Sequence, residues 1–230
     1  MRVSEYFDKL YHSNERYWWQ EPGRYSTDPD SHSRALLTQQ TLRLLRDQPP
    51  GRALDLGAGE GADAIRLALL HYQVDAVEVS ATAASKIERF AAEAGVSSLV
   101  RVTRSDISSF EPDGEYDVIL CNGVLHYIED KQPVIARMQA ATRVAGLNVV
   151  SLWSTFTAVP SVHNSVAVFC DDENGVVTKL YSTWPKELLY FERDKAETSH
   201  SELPAHRHSH IKLIARRPVP NVGSTSTGSG

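Results

Sequence analysis

Residues 52–63 read RALDLGAGEGAD, and this stretch constrains the fold more than any other. Ala53, Leu54 and Leu56 form a short apolar run of the kind that makes a buried strand. Glycines at alternate positions follow it, Gly57, Gly59 and Gly61, and the pattern turns helical over 64–70. Glycine accepts the positive φ of a tight strand-to-helix turn and lets a ligand lie against bare backbone. An acid, Asp55, stands just before the first glycine. This unit opens a parallel α/β sheet with a ligand site at the carboxyl end of its first strand.

A second acid narrows the ligand. Residues 74–79, VDAVEV, form the next strand, with Glu78 near its end, 23 positions after Asp55. An acid at roughly that interval can accept hydrogen bonds from both hydroxyls of a ribose. Gly57, Gly59 and Ala62 also satisfy the loose G-x-G-x-x-[GA] spacing of dinucleotide enzymes. Asp55 would repel a pyrophosphate, however, because like charges in a partly buried turn disfavour each other. It suits a cationic cofactor with an amino-acid group. S-adenosylmethionine carries a sulfonium, an ammonium, a ribose and an adenine, and no phosphate.

Two further segments follow in order. Residues 99–106, LVRVTRSD, read as a third strand ending in Asp106, followed by Ile107. Residues 116–128, YDVILCNGVLHYI, read as a fourth strand, a turn at Asn122-Gly123 and an apolar helix start. Together these segments resemble the class I S-adenosylmethionine-dependent methyltransferases over residues 48–145. The resemblance implies a doubly wound, Rossmann-like α/β sheet, mostly parallel with an antiparallel C-terminal strand, helices on both faces and an N-terminal helical lid. It assigns the cofactor to Asp55, Gly57, Ala58 and Gly59, to Glu78 and Val79, to Asp106 and Ile107, and to Asn122. A looser likeness over 137–154, 179–184, 190–192 and 210–218 resembles the TehB-like, tellurite-resistance-type branch. The Pro-Gly usual after its fifth helix is replaced by Val144-Ala145-Gly146.

The 230 residues suit a single domain over 1–217: a lid over 1–47, a cofactor-binding core over 48–152 and acceptor-side strands over 153–217. Residues 218–230, PVPNVGSTSTGSG, read as a disordered tail. In the lid, Ser4 is expected to cap a helix, and Asp30 or Ser31 the next one, with His32 incidental. The formal charge is −5 and no Lys/Arg run exceeds two residues, which argues against nucleic acid as partner. There is no apolar signal core and no stretch long enough to cross a membrane, so a cytoplasmic location is expected. The two cysteines, Cys121 and Cys170, make no disulfide framework.

Methyl transfer asks little of side chains, so the acceptor is the least legible part. The expected acceptor is a small molecule or peptide, in natural-product tailoring or oxyanion detoxification. His126, four residues past Asn122, is the candidate general base, since imidazole titrates near neutral pH. Its alternative roles are packing against the cofactor or capping a helix. Trp18, Trp19, Tyr25 and His163 are expected to line the acceptor pocket; anchoring of the lid is the plainer reading for the two tryptophans. His206, His208 and His210 share one face if they lie on a strand. Three imidazoles on one face could bind zinc, but no carboxylate or cysteine is read as close enough in sequence to complete the site, so a polar pocket rim and no metal site are expected. A nicotinamide-dependent oxidoreductase and a non-catalytic cofactor-binding interaction protein remain the alternatives.

Overall fold

The computed structural model describes residues 1–17, 25–32, 35–197 and 204–220. Its strands are β1 (Arg52–Leu56), β2 (Gln73–Glu78), β3 (Val100–Arg104), β4 (Tyr116–Asn122), β5 (Thr142–Trp153), β6 (Lys186–Glu197) and β7 (His206–Arg216). They form one sheet in the order β3-β2-β1-β4-β5-β7-β6. β1 to β5 run parallel, and β7 is antiparallel to both β5 and β6. The order reverses between β1 and β4, and ligands of open α/β sheets bind at such a switch point. This is the expected mostly parallel sheet with an antiparallel end.

Side-chain alternation along each strand sends successive residues to opposite faces. Leu54, Leu56 and Val77 enter one apolar cluster, with Val134, Ile135 and Met138 of α5 (Gln132–Ala141) and Val177 of α6 (Val176–Leu180). Ala53, Val74 and Ala76 enter the other. That second cluster takes Leu37 and Leu45 of α2 (Leu36–Leu45), Ile65 and Leu67 of α3 (Ala62–Leu69), and Ile87 and Phe90 of α4 (Ala81–Glu93). Helices therefore cover both faces, as the alternating pattern implies.

Several local expectations change. Helix α1 spans Val3–Ser13 with Arg2 at its N-cap, where Arg2 and Glu5 satisfy each other reciprocally, so Ser4 lies inside the first turn. Ala35 occupies the N-cap of α2 without a side-chain cap. Asp30 instead pairs with Arg43 at 3.0 Å, and His32 Nε2 meets the Ser26 carbonyl at 2.8 Å. The helix expected after β4 is one 3-10 turn, Leu125–Tyr127. β7 begins at His206, four residues before its expected start at 210. Of the expected tail, residues 221–230 lie outside the described residues.

Candidate functional site

The turn after β1 is built as its glycines require. Gly57, Gly59 and Gly61 all have positive φ, at 72°, 56° and 84°. A Cβ on Gly57 would also meet Val124 Cγ2 at 2.5 Å, so neither the backbone nor the space admits another residue there. The Gly57 and Ala58 N–H groups donate to the Val77 carbonyl at 2.8 and 3.0 Å, which ties the turn to β2. Glu78, 5% exposed at the end of β2, accepts the Gly59 N–H at 2.8 Å and the Ser80 N–H at 2.9 Å. Burial raises its pKa, against the pull of these backbone N–H groups.

Asp55 is 3% exposed, and its Oδ2 is buried without a hydrogen-bond partner. Burial holds its pKa well above the usual carboxylate range, and the neighbouring charge of Asp63 adds to this. An orphaned carboxylate oxygen is costly unless something donates to it. Asn122, by contrast, is occupied at both ends: its Nδ2 donates to Asp63 Oδ2 at 3.0 Å, and its Oδ1 accepts from Ser151 Oγ at 2.5 Å.

These groups line a cavity of about 630 Å³ at the carboxyl ends of the parallel strands. Asp55, Gly57, Ala58, Gly59, Glu78, Val79, Asp106, Ile107 and Asn122 all border it. Asp106 is exposed and accepts the Ser108 N–H at 2.8 Å, while Ile107 is buried beside it. The other half of the cavity is bounded by His126, Trp153, His163, Glu192, Glu197 and His208. Tyr6, Phe7, Tyr11 and Tyr17 from the N-terminal segment complete its wall.

Sequence reasoning missed the contacts that hold that segment in place. Asp8 of α1 accepts from Ser80 Oγ at 2.8 Å and from the Thr82 N–H at 2.9 Å, and these bonds keep its pKa low. Buried Glu60 accepts the Tyr17 N–H at 2.9 Å and pairs with Lys86 at 2.9 Å. Lys86 also donates to the Asn14 carbonyl. The partners lie 26 to 74 residues apart, so no local pattern announces them.

On the acceptor half, His126 is 2% exposed and stacks on Trp153 with ring centroids 4.2 Å apart. Burial, then the nearby His210 and His208, push its pKa well below its ordinary value. Its Nδ1 accepts the Trp153 N–H at 3.4 Å, so the neutral ring carries its proton on Nε2. Trp153 was not singled out from sequence, yet it lies between His126 and His208, stacked on the latter at 4.1 Å. His163 borders the cavity. Tyr25 does not: it packs against the second core cluster, and its hydroxyl accepts from Arg16 at 3.4 Å. Trp18 and Trp19 lie outside the described residues. No carboxylate was expected close in sequence to the C-terminal histidines, but strand pairing brings two beside them in space. The β6–β7 register sets Glu192 opposite His210 and Glu197 opposite His206.

Residues 54–147 match a family model described as a methyltransferase domain. Magnesium protoporphyrin IX methyltransferase from Synechocystis, solved with bound S-adenosylhomocysteine, superposes with a TM-score of 0.65 at 17% identity, covering 94% of this chain and 97% of that one. TehB from Haemophilus influenzae gives 0.64 at 19% identity, over 76% of this chain and 60% of that one. The fold is the Rossmann-like methyltransferase fold. Among curated proteins, Hemagglutinin 1 of Eikenella corrodens is 30% identical over 145 residues, 62% of this chain and 46% of that protein. The tRNA 5-carboxymethoxyuridine methyltransferase of Escherichia coli is 28% identical over 148 residues, 62% of this chain and 56% of that enzyme. The chain spans about half the length of these curated relatives.

The Synechocystis enzyme has also been solved with bound S-adenosylmethionine, and the residues present here fit that cofactor. The orphaned Asp55 oxygen needs a donor, which an ammonium supplies. The glycine turn leaves backbone open where a side chain would clash. Among the described residues no helix is long and apolar enough to cross a membrane.

Proposed function

We propose that the protein is an S-adenosylmethionine-dependent methyltransferase acting on a small-molecule or peptide acceptor. The observation that carries this reading is Asp55: a buried carboxylate oxygen without a partner, at the mouth of a glycine turn and one strand away from Glu78. A pyrophosphate would be repelled there, whereas a cationic amino-acid group completes the site.

When bound, S-adenosylmethionine supplies an electrophilic methyl group on a sulfonium. The chain's own part is to bind, orient and exclude water. Asp55 accepts from the ammonium. Glu78, already fixed by two backbone N–H groups, offers its remaining lone pairs to the ribose hydroxyls. Asp106 and Ile107 border the adenine, and the aromatic wall of Tyr6, Phe7 and Tyr11 serves as a lid. Holding donor and acceptor in near-attack geometry can supply up to ~7–11 kcal/mol of the barrier.

The base role expected of His126 needs a free lone pair at Nε2, whereas the Trp153 contact puts the proton there. We therefore assign His126 to holding the acceptor as a hydrogen-bond donor. His126→Gln, which keeps a donor, should retain more turnover than His126→Ala, and equal losses would remove the assignment.

Three finer placements belong to the same proposal. The TehB-like branch is supported by the superposition on TehB and by the β6–β7 elements. A cytoplasmic location is supported by Cys121 and Cys170 standing as free thiols. The net charge of −5 supports a partner other than nucleic acid. The deciding experiment measures S-adenosylhomocysteine release against oxyanion, phenol, amine, thiol and carboxylic acid acceptors, beside calorimetry with S-adenosylhomocysteine and NADH. Release with one acceptor class is the expected result. Preferential binding of NADH would overturn the reading.

A further inference from the structure

We propose that His163, His206 and His208 form a binding site for a divalent transition-metal ion of the zinc type at the acceptor end of the cavity. The three imidazoles come from two elements distant in sequence. His163 closes the 3-10 turn Ser161–His163, and His206 and His208 lie two apart on β7. Their Nε2 atoms converge: His163 lies 3.4 Å from His206 and 3.1 Å from His208, and all three ligand atoms fall within 4.8 Å of one another. Nitrogens bound tetrahedrally to zinc at about 2.0–2.1 Å stand about 3.3–3.4 Å apart. Two edges of the triangle already have that length to within a few tenths of an ångström, and a small rotation of one ring brings in the third.

The protonation pattern points the same way. His206 Nδ1 faces the Pro204 carbonyl at 2.7 Å, which fixes the proton on Nδ1 and turns the Nε2 lone pair toward the other rings. Metal-bound histidines are typically held by such a contact to their second nitrogen. The rings are enclosed: His163 is 7% exposed, His208 3%, and the His206 side chain 5%. Glu197 Oε2, 3.5 Å from His206 Nε2, supplies negative charge at the rim. Lys195 and Lys212, on the same two strands, pair with Glu192 at 3.6 and 2.9 Å. Trp153 stacks on His208 on one side and on His126 on the other, so an ion here would sit beside the acceptor half of the cavity.

The site stands independently of the methyltransferase reading, and its test reads metal directly. The full chain is stripped with a chelator, loaded with zinc(II) or cobalt(II), dialysed, and assayed for bound metal. About one equivalent of zinc should remain, and the cobalt form should show visible absorption of a low-coordinate, nitrogen-rich site. His163→Ala and His206→Gln should each weaken zinc binding by at least ~10-fold, while S-adenosylhomocysteine binding, read by calorimetry, stays intact and reports a folded chain. Taken as a whole residue, backbone included, His206 is half-buried where His163 is buried, so its variant guards against a fold failure at His163. Wild-type protein that keeps no zinc, or folded variants that bind it as tightly as wild type, would overturn the site. Zinc retained by a wild-type chain that fails to bind S-adenosylhomocysteine would support the metal site and sink the function proposed above.

Discussion

Asp55 and Glu78 illustrate how a single residue's environment sets its chemistry. Both are buried carboxylates with raised pKa values, but Glu78 is bonded to Gly59 and Ser80 while one oxygen of Asp55 faces no donor. A cationic ligand stabilises the ionised form of Asp55. At a pH below the raised pKa, binding must therefore expel the proton. Calorimetry of S-adenosylhomocysteine binding across a pH series, in buffers of different ionisation enthalpy, should show proton release on the acid side that fades as pH rises through the folded Asp55 value. No buffer dependence would mean that Asp55 does not meet the ammonium. Glu78→Ala should weaken the same ligand by about 1.5–3 kcal/mol per charge-assisted bond lost. Because Glu78 also holds the glycine turn, the unliganded variant should lose about 1–3 kcal/mol of stability as well, from the backbone donors left unpaired. An unchanged dissociation constant would move the ribose site elsewhere.

At the scale of elements, the half of the sheet from β1 to β4 was legible because its signals are local. An apolar run, a glycine turn and an acid at a strand end each lie within a dozen residues, and their order gives the topology. The N-terminal staple was not legible, because Glu60 and Lys86 read as ordinary surface charges until α4 brings them together under Tyr17. The expectation for Tyr25 failed for the same reason, since an aromatic in a polar segment reports burial but not the surface it buries against. The departure at Val144-Ala145-Gly146 was visible in sequence, and its consequence is structural. Ala145 has φ 64°, a left-handed conformation that costs a Cβ-bearing residue about 1–2 kcal/mol. Its N–H and carbonyl bond to Arg217 and Arg216, so the conformation is held by the β5–β7 edge. Ala145→Gly should relieve that strain, less the added flexibility of the unfolded chain, for a net gain of about 0.5–1 kcal/mol in denaturant unfolding. A net loss would show that the turn is not strained in solution.

Across the whole molecule, two buried carboxylates of the cofactor half and two buried imidazoles of the acceptor half are shifted in opposite directions, and the opposition has a pH signature. The cofactor half buries Asp55 and Glu78, whose raised pKa values mean that the folded state holds protons more tightly than the unfolded chain. Their contribution is fully present below the ordinary carboxylate range and is lost as pH rises through the folded values. The acceptor half buries His126 and His210, whose pKa values are lowered, chiefly by burial and for His210 against the pull of Glu192 and Glu197. Here the unfolded chain takes up protons that the folded state refuses. Stability is present above the ordinary histidine value of about 6.5 and is lost as pH falls below it. The two halves therefore oppose each other on acidification. Replacing His126 with Phe keeps an aromatic ring against Tyr127 and Trp153 and removes one of the acid-labile groups. The wild-type melting temperature should fall between about pH 6.5 and 5, and His126→Phe should flatten that fall while leaving the curve above about pH 7 parallel to wild type. Saturating S-adenosylhomocysteine should steepen the wild-type fall, because the ligand favours ionised Asp55 and withdraws the opposing carboxylate contribution. Parallel curves for wild type and variant down to about pH 5 would show that His126 is not the neutral, buried ring on which the acceptor half is built.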